Sequence, residues 1–555
     1  KNVVYIGAQY LFRSRDHGQS WDRISPDLTT NDPQKQKQEE SGGVTVDNSF
    51  AEMHTTIYSI SESPRNKDLI WVGTDDGNVQ VTRDGGKTWT NVVGNIPGLP
   101  KASWVNWVEA GRFDEGTAYA AFDRHTFGDM DPYVFKTTDY GQTWTPLITK
   151  AQGVRGYAHV IKEDTVSPNL LFAGTEFGLW ISLDGGKQWA QYKGGDFPNV
   201  AVRDLVVHPR ESDLVIATHG RGIWIVDDIT PLRKLTPQVM AQDAVFLTGK
   251  PTQQRIEASG GWAEGAAVYV GPDPPDAALI TYYQKKRHIF GRMKIQVFDS
   301  NGKLVDTLPA NSRRGISRVE WPMNLKAPKV PPAATVAFEA NQGPRVVPGT
   351  YTIKMVRGDQ TYTTPLTVLV DPRAKYGQAE RQENFDTSMK VYNLLNDMSY
   401  GVAEINGVRN QLSDRAAKVT GDDALREQLQ SLADKSDDIR KKIVATKEGG
   451  AITGEERIRE KTTQLYGNIT NYEGRPADYQ VARIGSLTHE LNDVMEEFSK
   501  SITSQLAEVN QALAAKNLEA ITPQTREQWN KESGDDDDAG AAKSGGDRRE
   551  LGERE

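Results

Sequence analysis

Residues 182–189 have the sequence Ser182-Leu183-Asp184-Gly185-Gly186-Lys187-Gln188-Trp189, and three earlier segments of the chain repeat its pattern. These segments are residues 14–21, 82–89 and 137–144. The Asp residues of successive copies lie 68, 55 and 45 residues apart. Repeats at intervals of about 40 residues or more are typical of β-propeller blades with loops of variable length. The repeat therefore predicts a propeller fold.

The chemistry of the repeat predicts a tight turn between two strands. An Asp side chain accepts hydrogen bonds from backbone N–H groups just ahead of it and so closes the turn. The Gly two positions later supplies the positive φ that such a turn needs. The Trp at the end begins the next strand and is expected to pack inward. We call each copy an Asp turn, and its Asp and Trp are predicted to be structural: Asp16, Trp21, Asp84, Trp89, Asp139, Trp144, Asp184 and Trp189.

This pattern resembles the Asp-box, or BNR repeat, of sialidases, sortilin-type receptors and bacterial glycosyl hydrolase-like propellers. Gln188 departs from it, because a Ser or Thr usually stands at that position. The resemblance implies a structural turn, so the four Asp residues are not expected to be catalytic. Sortilin receptors carry disulfides and this chain has no Cys, so the resemblance points to the bacterial members.

The composition excludes several classes of function. The 555 residues carry a net charge of −9 and show no basic aromatic patch, which argues against nucleic-acid binding. The absence of Cys excludes disulfides, thiol catalysis and zinc–thiolate sites. No run approaches about 18 apolar residues, so no transmembrane segment is expected. Because Lys1 leads directly into a strand pattern, we expect the C-terminal part of a longer protein. The absence of Cys is compatible with a bacterial exported protein, so a secreted, periplasmic or cell-surface location is expected, with a cytosolic location as the alternative.

Residues 1–230 have the alternating pattern of strands throughout. They are predicted to form part of a propeller, with about five blades in view. The predicted blades are residues 2–30, 55–95, 103–148, 155–193 and 201–228, the last of which lacks an Asp turn.

Residues 231–375 are predicted to form a linker and a β-sandwich. Asn301-Gly302 is expected to turn a hairpin inside residues 293–305. Further strand patterns lie at residues 267–270, 279–283, 319–321, 348–356 and 366–370. This segment resembles the small Ig-like domain of flagellar hook-capping proteins, which implies a spacer or a docking module.

Residues 376–530 change to the helical period of 3.6 and are predicted to form an antiparallel helical bundle. Three apolar stripes begin at Phe385, Leu425 and Ile484, and a shorter helix is expected near residues 454–467. The third stripe is long, so the alternative is that a partner subunit shares it. Residues 531–555 are predicted to be a disordered acidic tail.

A second recurrent turn defines the face on which we expect a ligand. The second strand of three blades ends in a turn related to Gly-Thr-x-x-Gly, at residues 72–77, 173–178 and 217–222. Successive turns of a meander alternate between its two ends, so these turns lie opposite the Asp turns. We call this side of the propeller the Gly-Thr face. The candidate ligand-binding residues on it are Glu52, His54, Asp75, Asp76, Trp104, Trp107, His159, Glu176, Phe177, Arg203, Asp204, His219 and Arg221.

Carboxylates, aromatic rings and Arg side chains together are typical of a sugar-binding cleft. For glycoside hydrolysis, Asp76 and Glu176 are the candidate catalytic pair, one as a proton donor and the other as a base or nucleophile. The alternative is that both are turn-forming acids on a solvated rim. Trp104 and Trp107 could likewise pack the blades together instead of stacking on a sugar.

No complete catalytic set or metal motif stands beside this pair. Sialidases use three Arg residues, a Tyr–Glu pair and an Asp, and only scattered candidates such as Arg203 and Arg221 match. No two His residues have the spacing of a metal motif, so we expect no metal and no other cofactor. Calcium held in a loop by Asp129 and Asp131 is the alternative.

Three functions fit these features. The first is an exported binding or scaffold protein that recognises a polypeptide or glycan on the propeller face, within a larger assembly that the C-terminal helices help to build. The second is a glycoside hydrolase acting on a polysaccharide. The third is a structural component of the cell surface, ordered by lateral contacts of the helices.

Overall fold

A computed structural model of the chain describes residues 3–37, 40, 54–247, 249–256, 275–291, 293–449 and 454–532. The chain is mostly β-sheet, with a helical C-terminal region. It divides into two compact units, Lys1–Gln242 and Asp243–Glu555. Within the described ranges, no helix is both long and apolar enough to cross a membrane.

In the described part of the first unit, eighteen strands form five consecutive antiparallel sheets, each a simple meander. The first sheet contains β1 (Val4–Gly7), β2 (Leu11–Ser14) and β3 (Asp22–Arg23). The second contains β4 (Ile57–Glu62), β5 (Ile70–Thr74), β6 (Val79–Thr82) and β7 (Thr90–Asn91). The third contains β8 (Trp104–Ala110), β9 (Ala118–Asp123), β10 (Tyr133–Thr137) and β11 (Thr145–Ile148). The fourth contains β12 (Ala158–Glu163), β13 (Leu171–Thr175), β14 (Gly178–Ser182) and β15 (Ala190–Gln191). The fifth contains β16 (Val202–Val207), β17 (Leu214–Thr218) and β18 (Ile223–Val226).

The first strands of neighbouring sheets lie side by side, which is the arrangement of propeller blades. Strand β8 contacts both β4 and β12, and β12 also contacts β16. The backbone N–H of Val108 donates to Oγ of Ser59 at 2.9 Å, from one first strand to the next. Gly73 permits this approach, since a Cβ there would lie 2.4 Å from Cγ1 of Val105. The unit therefore has a propeller-type fold, as the repeat predicts.

Four hairpins contain the Asp turns, and their hydrogen bonds follow one scheme. In the first turn, Oδ1 of Asp16 accepts the hydroxyl of Ser14 at 2.8 Å and the backbone N–H of Ser20 at 2.9 Å. The hydroxyl of Ser20 donates to Oδ2 at 2.6 Å. These bonds, the Ser20 hydroxyl first, lower the pKa of Asp16 to about 2. Equivalent bonds lower the pKa values of Asp84 and Asp139.

The Trp residues of the Asp turns pack differently from one sheet to the next. Trp144 is buried, and Trp89 and Trp189 are half-buried, each donating from Nε1 to a carbonyl of the preceding sheet. Trp21 is 40% exposed, and its Nε1 donates to Gly18 within its own turn. The expectation that every such Trp packs inward is therefore wrong for Trp21, because its indole is exposed and bonds within its own turn.

Two short helices end the first unit: α1 (Thr230–Lys234) and α2 (Pro237–Ala241). Both lie in the segment that the sequence assigns to the linker, yet they belong to the first compact unit. Arg233 of α1 binds the buried carboxylate of Asp164 through two hydrogen bonds of 2.8 Å. The segment is thereby fixed to the fourth sheet.

The second unit begins with two sheets that pack face to face. The strands are β19 (Ala244–Phe246), β20 (Thr252–Gln254), β21 (Ala278–Gln284), β22 (Met293–Phe298), β23 (Leu304–Pro309), β24 (Gly315–Trp321), β25 (Gly349–Arg357) and β26 (Gln360–Val370). One sheet has the order β19-β21-β24 and the other β20-β26-β25-β22-β23. Their shared core includes Trp321, Ile295 and Met355. The hairpin β22–β23 turns through residues 299–303 with Gly302 at φ +77°, and the strand pattern at 267–270 lies outside the described residues.

Six helices follow in the described part of the chain, and the first five of them share one apolar core. They are α3 (Gln378–Lys418), α4 (Asp423–Ile443), α5 (Ile458–Thr470), α6 (Asp478–Ser501), α7 (Leu506–Ala515) and α8 (Arg526–Glu532). The third apolar stripe is not one helix, since α6 and α7 are separated at Ile502, where Ser and Thr residues of low helix propensity cluster. Every apolar residue of that stripe is at most 8% exposed, so the chain itself covers it. A partner subunit does not share this stripe.

Candidate functional site

The hydrogen bonds at the sheet ends place the predicted ligand residues on one side of the propeller. The backbone N–H of Thr56, just before β4, donates to Oδ1 of Asp75 at 2.8 Å, and that of Glu176 donates to the carbonyl of Tyr157 at 3.1 Å. The Asp turns contact the loops at the opposite ends, where Gly85 donates to the carbonyl of Asp68. The segments leading into the first strands thus share the Gly-Thr face with the turns after the second strands.

The centre of the candidate site is a cluster of three predicted residues from two neighbouring sheets. Nε2 of His159, on β12, lies 3.1 Å from Oε2 of Glu176 in the β13–β14 turn. Arg203, on β16, places its NH2 atom 4.0 Å from the same oxygen. His159 is buried, whereas the Arg203 side chain is 43% exposed. The cluster therefore has a fixed interior and a solvent-facing cation. We call it the His159 cluster, comprising His159, Glu176 and Arg203.

The protonation states in this cluster follow from its contacts. Nδ1 of His159 faces the amide of Asn106 at 3.1 Å, so it acts as the acceptor and Nε2 carries the proton. Burial, and then the charge of Arg203, lower the pKa of His159 to about 4. Partial burial opposes ionisation of Glu176, but hydrogen bonds from His159 and Tyr157 and the Arg203 charge lower its pKa overall. At neutral pH the cluster contains a neutral imidazole, a carboxylate and a guanidinium.

Sequence reasoning missed the aromatic and acidic residues around this cluster. The ring of Tyr157 lies edge-on to His159, with ring centroids 4.7 Å apart, and stacks on His125 at 4.9 Å. Burial, and then the hydrogen bond with Glu176, raise the pKa of Tyr157 to about 12. Nδ1 of His125 lies 2.8 Å from both carboxylate oxygens of Asp123. The signal was present in the sequence, because Asp123 ends β9, His125 follows it and Tyr157 precedes β12.

Asp76, the other predicted catalytic residue, has a structural environment. Its side chain is 3% exposed, and Oδ1 accepts the hydroxyl of Thr74 at 2.5 Å. Oδ2 accepts both the N–H and the hydroxyl of Thr30, at 2.6 and 2.7 Å. Asp76 lies in the second sheet and Glu176 in the fourth, with the third sheet between them in the sheet order. Their pairing as catalytic acids stays a prediction.

Asp75 and His54 lie beside Asp76 on the same face. Burial raises the pKa of Asp75, despite hydrogen bonds that Thr56 donates to both of its oxygens. One ligand atom each of His54, Asp75 and Asp76 lies within 4.8 Å of the others. We call these three residues the His54 cluster. Sequence reasoning did not group them, because His54 and Asp75 are 21 residues apart and match no metal motif.

The two predicted Trp residues differ in what they contact. Trp104 is half-buried and packs edge-on against the exposed ring of Tyr58, with centroids 4.9 Å apart. Trp107 packs between the apolar cores of the third, fourth and fifth sheets, with Nζ of Lys162 4.7 Å above its ring. Trp104 therefore keeps part of its surface open to solvent, and its contact with a ligand stays a prediction, whereas Trp107 packs the sheets together.

The remaining predicted residues are peripheral. His219 and Arg221 are exposed in the turn after β17, and the carboxylate of Asp204 accepts the adjacent N–H of Leu205. Phe177 is 40% exposed beside Glu176, while Glu52 lies outside the described residues.

The two acids considered for calcium are engaged with protein groups. Asp129 accepts the hydroxyl of Tyr133 at 2.9 Å and contacts Arg124, and Asp131 pairs with Lys150 at 3.0 Å. A calcium ion in this loop would compete with these contacts and stays untested.

Comparison with known proteins does not assign a family. No protein-family model matches the chain, and no curated protein matches it. Among solved structures, it is similar to YCF48 bound to a D1 peptide, with 17% identity over 41% of this chain and 62% of that one and a TM-score of 0.26. It is similar to the GH74 enzyme of Niastella koreensis, with 11% identity over 67% of this chain and 52% of that one and a TM-score of 0.29. It is also similar to PorZ, a surface component of the type-IX secretion system of Porphyromonas gingivalis, with 14% identity over 66% of this chain and 58% of that one and a TM-score of 0.24. The chain spans between about half and three fifths of these solved chains.

Proposed function

We propose that this chain is a binding or scaffold protein that recognises a polypeptide through its Gly-Thr face. The observation that carries the proposal is the set of exposed aromatic rings on the Gly-Thr face, together with the His159 cluster on the same face. Tyr58 is 54% exposed, Phe127 is 59% exposed and Phe177 is 40% exposed, all in segments at this end of the sheets. Exposed aromatic and Arg side chains with a rigid base are the usual anchors of protein interfaces.

The rigidity of the cluster supports binding. His159 and Glu176 are held by mutual hydrogen bonding and by Asn106 and Tyr157, so the site is preorganised. Arg203 retains exposed guanidinium surface and can pair with a carboxylate of a peptide. A ligand with an acidic side chain beside an apolar one therefore matches the site best.

The proton chemistry of the cluster does not favour hydrolysis. A general acid for glycoside cleavage needs a raised pKa, but the contacts of Glu176 lower its pKa. The oxygens of Asp76 already accept three hydrogen bonds from Thr side chains and backbone. Glu176 thus lacks the environment of a proton donor, and Asp76 is engaged in structural hydrogen bonds.

We extend the proposal to location and assembly. The protein is proposed to act outside the cytoplasm, as part of a larger assembly. Since the third apolar stripe is buried, such an assembly would use other surfaces of the second unit.

The test is a binding screen of the full chain against a peptide array and a glycan array. Substitutions Phe177→Ala and Arg203→Ala are expected to weaken peptide binding at least about tenfold, the loss typical of an interface anchor. Matched controls are Phe290→Ala, an 85% exposed ring in the second unit, and Arg210→Ala, an 81% exposed side chain at the other end of the fifth sheet. Both controls are expected to bind as the unmodified chain does.

Three outcomes would contradict the proposal. Binding to glycans alone would replace the polypeptide by a carbohydrate ligand. Equal losses in the control variants would place the binding surface elsewhere. Polysaccharide turnover that disappears in Asp76→Asn/Glu176→Gln would establish the hydrolase alternative.

A further inference from the structure

The His54 cluster brings together three side chains that bind metal ions in many proteins. His54 precedes β4, whereas Asp75 and Asp76 lie in the turn after β5. Their ligand atoms, one imidazole nitrogen and two carboxylate oxygens, lie within 4.8 Å of one another. Two separate segments of one sheet therefore converge on a single point at the Gly-Thr face.

The two carboxylates are oriented by a second layer of hydrogen bonds. The N–H and hydroxyl of Thr56 donate to the two oxygens of Asp75 at 2.8 and 2.9 Å. Thr74 and Thr30 hold Asp76 in the same way. Each carboxylate oxygen has more than one acceptor site, so these bonds leave capacity for a cation. Such outer contacts are the usual means by which proteins orient metal ligands.

The nitrogen of His54 gives a second and independent observation. Its Nδ1 atom is buried and has no hydrogen-bond partner among the residues that the structure describes. A buried polar atom without a partner is uncommon in folded proteins and requires an explanation. Coordination to a metal ion would satisfy this nitrogen, and it would also offset the repulsion between the two neighbouring carboxylates.

We propose that His54, Asp75 and Asp76 bind a divalent transition-metal cation of the Zn²⁺ type. Imidazole nitrogen favours such ions over Ca²⁺ and Mg²⁺, which prefer sites made of oxygen alone. In a tetrahedral site with metal–ligand distances of about 2.0–2.2 Å, two ligand atoms lie about 3.3–3.6 Å apart, so separations of up to 4.8 Å would shorten by up to about 1.5 Å on metal binding. Three protein ligands leave at least one position open to water or to a bound molecule. This site goes beyond the proposed function and does not depend on it.

The test is equilibrium dialysis of the full chain, stripped with a chelator, against Zn²⁺. Bound metal is measured directly, and the absorption spectrum with Co²⁺ reports its coordination. The unmodified chain is expected to retain one more equivalent of Zn²⁺ than His54→Ala, with at least a tenfold loss of affinity in the variant. His54→Ala is the decisive variant, because Nδ1 makes no hydrogen bond to the described residues and its loss should not disturb the fold.

Two further variants make the result specific. Asp75→Asn is expected to lower the affinity as His54→Ala does, and melting curves without metal show whether each variant is folded. His489→Ala is the matched control, since His489 lies 3.6 Å from Asp493 as an exposed pair on α6 and offers no third ligand. Equal Zn²⁺ binding by the unmodified chain and His54→Ala would overturn the proposal. Displacement of Zn²⁺ by an equal concentration of Ca²⁺ or Mg²⁺ would overturn the choice of cation.

Discussion

The backbone N–H of Gln188 donates to Oδ1 of Asp184 at 2.9 Å, while the side chain of Gln188 has no hydroxyl to offer Oδ2. In the other three Asp turns, a Ser or Thr hydroxyl from this position donates to Oδ2 at 2.6 Å. The fourth turn therefore lacks one bond of an otherwise shared scheme.

Gln188→Thr is expected to restore that bond and stabilise the first unit. A hydrogen bond of this kind contributes about 1 kcal/mol, and less where water competes for the donor. Nine of the twelve Trp residues lie in the first unit, so urea denaturation followed by Trp fluorescence reports mainly on it. Gln188→Val is the matched control, because Val has nearly the shape of Thr but no hydroxyl, so it should not stabilise the first unit. Equal gains from Thr and Val would show that strand propensity, rather than the hydrogen bond, causes the effect.

Gly86→Ala is expected to destabilise the first unit by at least about 2 kcal/mol. Gly86 has φ +103°, and a Cβ there would lie 2.4 Å from the carbonyl oxygen of Ile24 on the neighbouring sheet. The substitution thus combines backbone strain with a steric clash against backbone. The same denaturation assay measures the loss.

Gly98→Ala separates the two causes. Gly98 has φ +72°, but no described heavy atom lies within 4 Å of its Cβ position. Gly98→Ala should lower the free energy of unfolding by about 1 kcal/mol, which is the cost of the backbone strain alone. If Gly86→Ala costs no more than Gly98→Ala, the contact between the Asp turn and the neighbouring sheet is not as close as the structure indicates.

The parts of the fold that the sequence predicts well are those with local causes. The Asp turns are closed by bonds between residues at most four positions apart, such as Asp16 and Ser20, so their chemistry is visible in the sequence. The strands between the turns are short runs of apolar, β-branched and aromatic residues, such as Ile70–Thr74, so they are visible in the sequence as well. Local patterns of this kind do not depend on the rest of the chain.

The parts that the sequence does not predict have non-local causes. His54 meets Asp75 only because β4 and β5 pair, and Tyr157 meets His125 only because two sheets pack together. The break at Ile502 occurs within a continuous apolar periodicity, where Ser and Thr residues lower helix propensity without interrupting the stripe. The exposure of Trp21 depends on whether a neighbouring sheet covers it, which the motif does not record.

Arg233→Met is expected to destabilise the first unit by about 3 kcal/mol. The guanidinium of Arg233 binds both oxygens of Asp164, whose side chain is fully buried, and also the hydroxyl of Ser212 at 2.9 Å. Its removal leaves a buried carboxylate whose remaining donors, among the described residues, are the backbone N–H groups of residues 166 and 167.

The matched control is Arg210→Met, in the loop that follows β16 of the fifth sheet. Arg210 pairs with Glu211 at 2.9 Å, but its side chain is 81% exposed. Arg210→Met is therefore expected to destabilise the first unit by less than about 1 kcal/mol. Arg233→Met/Asp164→Asn should recover part of the loss, because no unpaired buried charge remains. If the double variant is as unstable as the sum of the single ones, the two side chains are not energetically coupled.

The buried imidazole of His159 is expected to make stability depend on pH. Its pKa in the folded chain is about 4, below the usual value of 6.5. Between these values the unfolded chain binds a proton that the folded chain does not, so stability is complete above about pH 6.5 and falls towards pH 4. The expected slope is at most about 1.4 kcal/mol per pH unit, measured by urea denaturation across that range.

His159→Gln should abolish the part of this pH dependence that comes from His159, whatever its effect on absolute stability. His489→Gln replaces an exposed imidazole and should leave the pH dependence unchanged. An unchanged slope in His159→Gln would mean that His159 takes up a proton as readily in the folded protein as in the unfolded chain, so that in acid it would form an ion pair with Glu176 instead of a neutral hydrogen bond.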